Sequence, residues 1–450
     1  MSVVTDIFQQ KVSVATDRFQ QKVSVETDIF CLLCTVFLHL HAEINQSKKR
    51  NMQQLFERRD LLVKLASMKF VRDIMYEINW DAQLICIRGA RGVGKTTLML
   101  QYIKSHYKSM SREVLFVSLD MVYFATHSLV ELAETFYKNG GRHLFVDEVH
   151  KYPNWSQEVK EIYDFFPDMR VVISGSSLLN ILGGNADLSR RCVPYDMQGL
   201  SFREFLKLHH DIDIRKRPLE EILNTPEDLC AEVMEKCQPL PLFKDYLRFG
   251  YFPFYLKNKN NYYALVEQIV NYVIESELPQ FFHVEAAMTR KIKALMGIIS
   301  STLPFQVDAT KLSGVIGVHR TTVINLLYML DKASLIKMIF EESKTIKKLQ
   351  KPDKLYIENT NTLHAISSHS VDIGTVRETF CVNQLSHNHE VEYSKQKGDF
   401  LIDRKYTVEV GGRNKGFTQI SGVENSFILA DDIESPFGRK LPLWTMGFLY

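Results

Sequence analysis

Leu84-Ile-Cys-Ile-Arg88, running into Gly89-Ala-Arg-Gly-Val-Gly-Lys-Thr96, decides how this chain folds. The first five residues read as a short buried strand, the next eight match G-x-x-x-x-G-K-[ST] in full, and a helical pattern opens at Lys95. Glycines in such a loop let backbone N–H groups turn inward on phosphates, and the helix N-terminus adds its dipole. The loop therefore reads as a nucleoside triphosphate cradle formed by Gly89, Ala90, Arg91, Gly92, Val93, Gly94, Lys95, Thr96 and Thr97. Lys95 is expected to reach the β- and γ-phosphates, and Thr96 to hold magnesium.

Downstream, apolar runs at Val114-Leu-Phe-Val117, His143-Leu-Phe-Val146 and Val171-Val-Ile173 alternate with amphipathic segments at 128–138 and 155–165. Strand and helix in alternation predict a parallel sheet with crossover helices, an α/β fold. The strand at 143–146 ends in Asp147-Glu148, which places two carboxylates at the sheet edge where ligands bind. Asp147 is expected to hold magnesium through water, and Glu148 to orient or deprotonate the attacking water. Ser174 and Ser176, after the next strand, suit either a γ-phosphate sensor or a helix cap. Arg190 and Arg191 follow, with Arg191 read as a charge-stabilising arginine acting in its own chain or on a neighbouring subunit, or else as a surface ion-pair partner.

Composition narrows the setting. The chain has 450 residues, 45% hydrophobic and 24% charged, which allows two to four domains with cores of their own. A net charge of +2 excludes a global basic field, so nucleic-acid binding must rest on a local patch. Seven scattered cysteines, with only Cys31 and Cys34 close together, predict reduced thiols and a cytoplasmic setting. The apolar run from Ile29 to Leu40 is too short to span a bilayer, which takes roughly 20 residues, so no membrane association is expected. No basic segment with a following cleavage site marks a signal peptide either.

Before Met52 the sequence repeats. Ser2 to Val12 recurs as Ser13 to Val23 and begins again at Ser24 to Phe30, a period of 11 residues. That period suits a right-handed helical supercoil, but Arg18 stands in the middle copy where Ile7 and Ile29 stand in the others, which makes a poor seam. Residues 1–51 are read as a dispensable extension, the product of a duplicated stretch of DNA.

The motifs together resemble the AAA-type P-loop ATPases that carry a C-terminal domain of unknown function with a nuclease-like fold, within the AAA+ superfamily. The resemblance covers Met52 to the end. It rests on Ile87 to Thr96, Phe145-Val-Asp-Glu148, Ile173-Ser-Gly-Ser-Ser177 and Arg191 leading into Gly199-Leu-Ser-Phe-Arg-Glu-Phe205. Gly250-Tyr-Phe-Pro253, Lys354-Leu-Tyr-Ile-Glu-Asn359 and Val408-Glu-Val-Gly-Gly412 also fit it. It implies an ATPase domain at 52–200, a helical lid at 201–300, a winged helix at 301–345 and a tail at 346–450 resembling a degenerate PD-(D/E)XK nuclease.

Residues 307–338 support the winged helix on their own. Val307 to Leu312 reads as a first helix, Gly314 to Val318 as the turn, and Thr321 to Leu330 as a recognition helix. His319, Arg320, Thr321 and Asn325 would then face a major groove, unless the module docks protein instead. The flank Lys344 to Lys354 is lysine-rich but interrupted by Asp353. In the tail, Glu378, Asp399 and Glu409 have the layout of a metal-dependent nuclease. The lysine required two residues after the last carboxylate is replaced by Gly411, and no spacing argument brings Lys415 into the site.

The reading is a magnesium-dependent ATPase driving rearrangement of DNA- or protein-binding domains, with ATP and Mg2+ as cofactors and a homo-oligomer as one possible state. A slow nucleotide-dependent binding switch is the alternative, and a DNA-cleaving ATPase ranks below it.

Overall fold

A computed structural model gives the fold and describes residues 49–178, 188, 190–301, 305–306, 308–341, 351–367, 370–394 and 397–450. The 11-residue repeat, Cys31 and Cys34 lie outside the described residues, as does most of the lysine-rich flank. The chain divides into a unit ending at Leu61, helical from residue 49, and a unit from Leu62 to Tyr450 that holds everything below.

Short apolar runs become parallel strands because a strand covered by helices on both faces has no polar side to show. They are β1 (Leu84–Arg88), β2 (Val114–Ser118), β3 (His143–Asp147), β4 (Arg170–Gly175) and β5 (Val193–Asp196), in the order β2-β3-β4-β1-β5. All four pairings are parallel. Helices α1 (Lys95–His106), α2 (Leu129–Lys138) and α3 (Trp155–Phe165) supply the crossovers. The fifth strand escapes a pattern search because Val193-Pro-Tyr-Asp196 is short, largely exposed and carries a proline, which the sheet tolerates only at its edge. The order matters more than the count. With β4 inserted between β1 and β3, the loops after all three open side by side at one edge.

Seven helices follow as the lid: α4 (Phe202–His210), α5 (Leu219–Asn224), α6 (Pro226–Lys236), α7 (Pro239–Phe249), α8 (Tyr262–Tyr272), α9 (Leu278–Phe282) and α10 (Ala286–Ser301). A reciprocal cap starts α4, in which Ser201 Oγ accepts from the Glu204 N–H and the Glu204 carboxylate accepts from the Ser201 N–H. Between α8 and α9 the chain widens into a π turn, Val273–Glu277. Pro279 explains it, since its ring has no N–H to give and would crowd the carbonyl one turn back.

The segment read as a winged helix is longer than the sequence suggests. Strands β6 (Phe305–Gln306), β7 (Ile336–Ile339) and β8 (Lys354–Ile357) form an antiparallel sheet in the order β6-β8-β7, beside α11 (Ala309–Ile316) and α12 (Arg320–Lys332). Lys354 to Ile357, read from sequence as the first strand of the tail, therefore belongs to this module. A run of four apolar residues says nothing about its pairing partner. The first helix also runs through Gly314, and Gly317, at φ 68°, makes the turn.

The tail has α13 (Thr360–Ile366), α14 (Ile373–Leu385) and a sheet of β9 (Val391–Tyr393), β10 (Phe400–Ile402), β11 (Tyr406–Gly411), β12 (Ser426–Ala430) and β13 (Lys440–Pro442), ordered β13-β12-β11-β10-β9. The β9-β10-β11 pairs are antiparallel and the β11-β12-β13 pairs parallel.

Asn361, fully buried on α13, fastens lid to tail. Its Oδ1 accepts from the Tyr251 N–H at 2.8 Å and the Tyr262 hydroxyl at 2.5 Å, while Nδ2 donates to the carbonyls of Tyr246 and Leu247 at 3.1 and 3.0 Å. Replacing it with leucine would leave the Tyr251 N–H and the Tyr262 hydroxyl without their acceptor, each costing about 1–3 kcal/mol when buried. Asn361→Leu should lower unfolding stability by about 3 kcal/mol or more, read from urea denaturation; an unchanged midpoint would contradict this account.

Candidate nucleotide site

The Gly-rich loop sits between β1 and α1, as the sequence requires. Its glycines are structural necessities. Gly94 caps α1 at φ 106°, and a Cβ on Gly89 would lie 2.2 Å from the Met197 carbonyl oxygen. Lys95 is buried, its Nζ donating to the carbonyls of Gly89 and Ala90 at 2.8 and 3.0 Å. Burial pulls its pKa down, opposed by Glu148, Asp147 and Glu277 nearby.

Asp147, at the end of β3, is buried and held from both sides. Thr96 Oγ1 donates to Oδ2 at 2.6 Å, and Ser174 Oγ donates to Oδ1. The expected magnesium pair is thus in contact. One carboxylate and one hydroxyl fit that ion, which binds through one or two carboxylates together with substrate phosphates and water. Among the described residues no cluster of three His, Cys, Asp or Glu could hold a metal by itself. Glu148 follows in the left-handed region at φ 54°, a conformation that turns its side chain out of the strand direction. Burial raises the Glu148 pKa, with Lys95 opposing.

Both strand-end serines are used, and Ser176 Oγ also accepts from the Leu178 N–H at 3.4 Å. Ser174 orients Asp147, whereas Ser176 Oγ donates to Glu277 Oε2 at 2.5 Å. Glu277 is buried and comes from the π turn of the lid. Sequence reading missed it, because nothing near it in the chain forms a motif. A cavity beside the loop is lined by Ala90, Arg91, Ser176, Ser177 and Glu277, and also by Ser334, Leu335, Asn359 and Thr362 of the appended modules. Arg91 stacks its guanidinium 4.2 Å from the Tyr272 ring centre, and Lys151 places its ammonium 4.4 Å from the same ring.

Arg191 is elsewhere. It lies two residues before β5, which runs parallel to β1, and so sits at the sheet edge opposite the Gly-rich loop. There Nε is 2.9 Å from Asp164 Oδ1. An action of Arg191 on the site of its own chain is therefore excluded by geometry.

His319, Arg320, Thr321 and Asn325 are all exposed around α12, as a recognition surface requires. In the tail, Glu378, Asp399 and Glu409 do converge, and Lys415 joins them, contrary to the reading from spacing. Its ammonium pairs with Glu409, and its side chain fills the space over Gly411, where a Cβ would lie 2.7 Å from Lys415 Cγ. Lys354 Nζ stands 3.4 Å from Glu378 Oε2 and 3.8 Å from Asp399 Oδ1, and Tyr356 donates to Glu378 at 2.6 Å. Burial raises the carboxyls of Glu378 and Glu409. Two ammonium groups thus stand against the three carboxylates.

Residues 81–206 match the AAA domain family, and residues 240–372 match a Domain of unknown function (DUF8612) that spans α8 to α13 and the β6-β8-β7 sheet. Uncharacterized protein MJ1637 of Methanocaldococcus jannaschii is 28% identical over 381 residues, covering 77% of this chain and 79% of the relative. Uncharacterized protein MJ1544 of the same organism is 22% identical over 345 residues, covering 74% and 73%. Among solved structures, the S. cerevisiae Hsp104-ADP complex matches at 15% identity and a TM-score of 0.24, over 62% of this chain and 37% of that one. C. elegans PCH-2 matches at 15% identity and a TM-score of 0.21, over 36% and 44%. This chain spans less than half the length of either solved structure. The parallel sheet that carries the Gly-rich loop fits a P-loop NTPase core, and residues 81–206 are similar to the AAA domain family.

Proposed function

We propose that the chain is a magnesium-dependent ATPase whose nucleotide state repositions the lid, the winged helix and the tail. One observation carries the reading: a complete phosphate cradle with buried Lys95 stands beside Thr96 hydrogen-bonded to Asp147, with Glu148 next in the chain. Thr96 and Asp147 would hold magnesium, which supplies neutralisation of phosphate charge. Lys95 would release the two loop carbonyls and donate to the β- and γ-phosphates. Glu148 would take the proton of the attacking water. Positioning and electrostatics supply most of the catalysis in such a site.

Arg191 would act in trans, on the site of a second copy, once freed from Asp164. The appended modules would engage DNA or a protein, with His319, Arg320, Thr321 and Asn325 as the contact residues on DNA. A cleaving role for the tail ranks last, because Lys354 and Lys415 already satisfy its carboxylates.

Lys95→Ala should abolish MgATP binding, whereas Glu148→Gln should bind MgATP and lose turnover by roughly a hundredfold or more. Isothermal titration and steady-state phosphate release separate the two, and full turnover in Glu148→Gln would refute the role given to that residue. Double-stranded DNA should raise turnover severalfold at low salt and less at high salt. A rate indifferent to DNA would shift the partner to a protein.

A further inference from the structure

His150 is an anomaly in the core. It is 1% exposed, yet among the described residues neither Nδ1 nor Nε2 has a hydrogen-bond partner. Buried polar side chains are almost always paired, so an orphan one calls for a reason. Its surroundings also fix its charge. Burial, with Lys151, Lys95 and Arg91 close by, pushes its pKa down to about 3, so the ring is neutral in neutral solution and carries one N–H.

An acceptor lies just beyond reach. Nε2 is 3.4 Å from Glu148 Oε2, a gap that a small side-chain rotation closes. The local backbone makes this approach, since Glu148 adopts the left-handed conformation and the next three residues, Val149–Lys151, form a single 3-10 turn. The lid pins the same turn, as Gln280 Nε2 donates to the His150 carbonyl and the Phe281 ring centre lies 6.0 Å from the imidazole. A histidine kept only for packing would need neither a neighbouring carboxylate nor an unused donor.

We infer that His150 is a positioning residue for Glu148: its Nε2–H donates to Oε2 when the lid closes on bound nucleotide, and this leaves Oε1 aimed at the attacking water. The inference rests on the hydrolysis reading above. In the step it serves, a water proton passes to Oε1 while the water oxygen bonds to the γ-phosphorus. The bond from that phosphorus to the bridging oxygen breaks, and ADP leaves with the electron pair. His150 neither gains nor loses a proton.

The test compares His150→Phe, which keeps a ring without a donor, with His150→Gln, whose amide N–H can take the place of Nε2–H. In the full chain, Phe should lower kcat roughly 10- to 100-fold, as loss of an orienting partner does, with KM, MgATP affinity and Tm unchanged. Gln should restore most of the rate. Should the Phe protein fail to fold, His150→Leu is the second donor-free variant. Wild-type kcat in a donor-free variant, or equal losses for Gln and Phe, would overturn the inference. If the wild-type protein binds MgATP but does not turn it over, the hydrolysis reading itself falls, and that outcome is separate from any difference among the variants.

Discussion

The Arg72 guanidinium is the constraint on which the nucleotide site depends. It is buried, with Nε 2.6 Å from Glu204 Oε1, Nη1 donating to the Val93 carbonyl at 3.3 Å, and Nη2 donating to the carbonyls of Gln198 and Gly199 at 3.1 and 3.0 Å. One planar cation thus holds the Gly-rich loop, the exit from β5 and the first lid helix in a single frame. A pair this deeply buried is weak evidence of stability, because desolvation offsets most of its attraction. Its consequence is geometric. The phosphate loop and α4 are held to the same fork of N–H groups.

The tail is joined to that frame. Ser201 Oγ and Arg203 Nε donate to the Tyr450 carbonyl oxygen at 2.8 and 3.0 Å, and the backbone at Gly447 passes so close to Phe202 that a Cβ there would lie 2.4 Å from Phe202 Cβ. On the other side of the site, Glu277 meets Ser176, and Asn361 ties α13 to the lid. The small cavity beside the Gly-rich loop is therefore bordered by core, lid and appended modules at once. Under the proposed function, a nucleotide in the Gly-rich loop would act on all three through the residues that share this cavity.

Much of this was legible in the sequence, and what escaped has physical reasons. Strand and helix alternation, the Gly89 to Thr96 loop and the Asp147-Glu148 pair are local patterns, and the structure assembles them side by side. The proline-bearing edge strand at Val193 was hidden because an edge tolerates residues that a central strand rejects. The strand at Lys354 was recognised but given to the wrong sheet, since short apolar runs do not encode their partners. No sequence spacing brings Lys415 into the tail's acidic cluster, yet its side chain folds back over Gly411 to reach Glu409. Glu277, Asn361 and Arg72 act across more than a hundred residues of sequence, beyond any local pattern. His150 lay in view beside the acidic pair, and only its orphaned burial marks it.

Hydrogen exchange on the full chain carrying Glu148→Gln, with and without MgATP, tests the central claim most directly. Coupling through the shared cavity predicts altered protection not only in the Gly-rich loop but also in the lid turn from Tyr272 to Phe282 and in the appended segments around Ser334 and from Asn359 to Leu363. Protection confined to the loop and α1, with the lid and appended segments unchanged, would contradict the claim that nucleotide binding moves them.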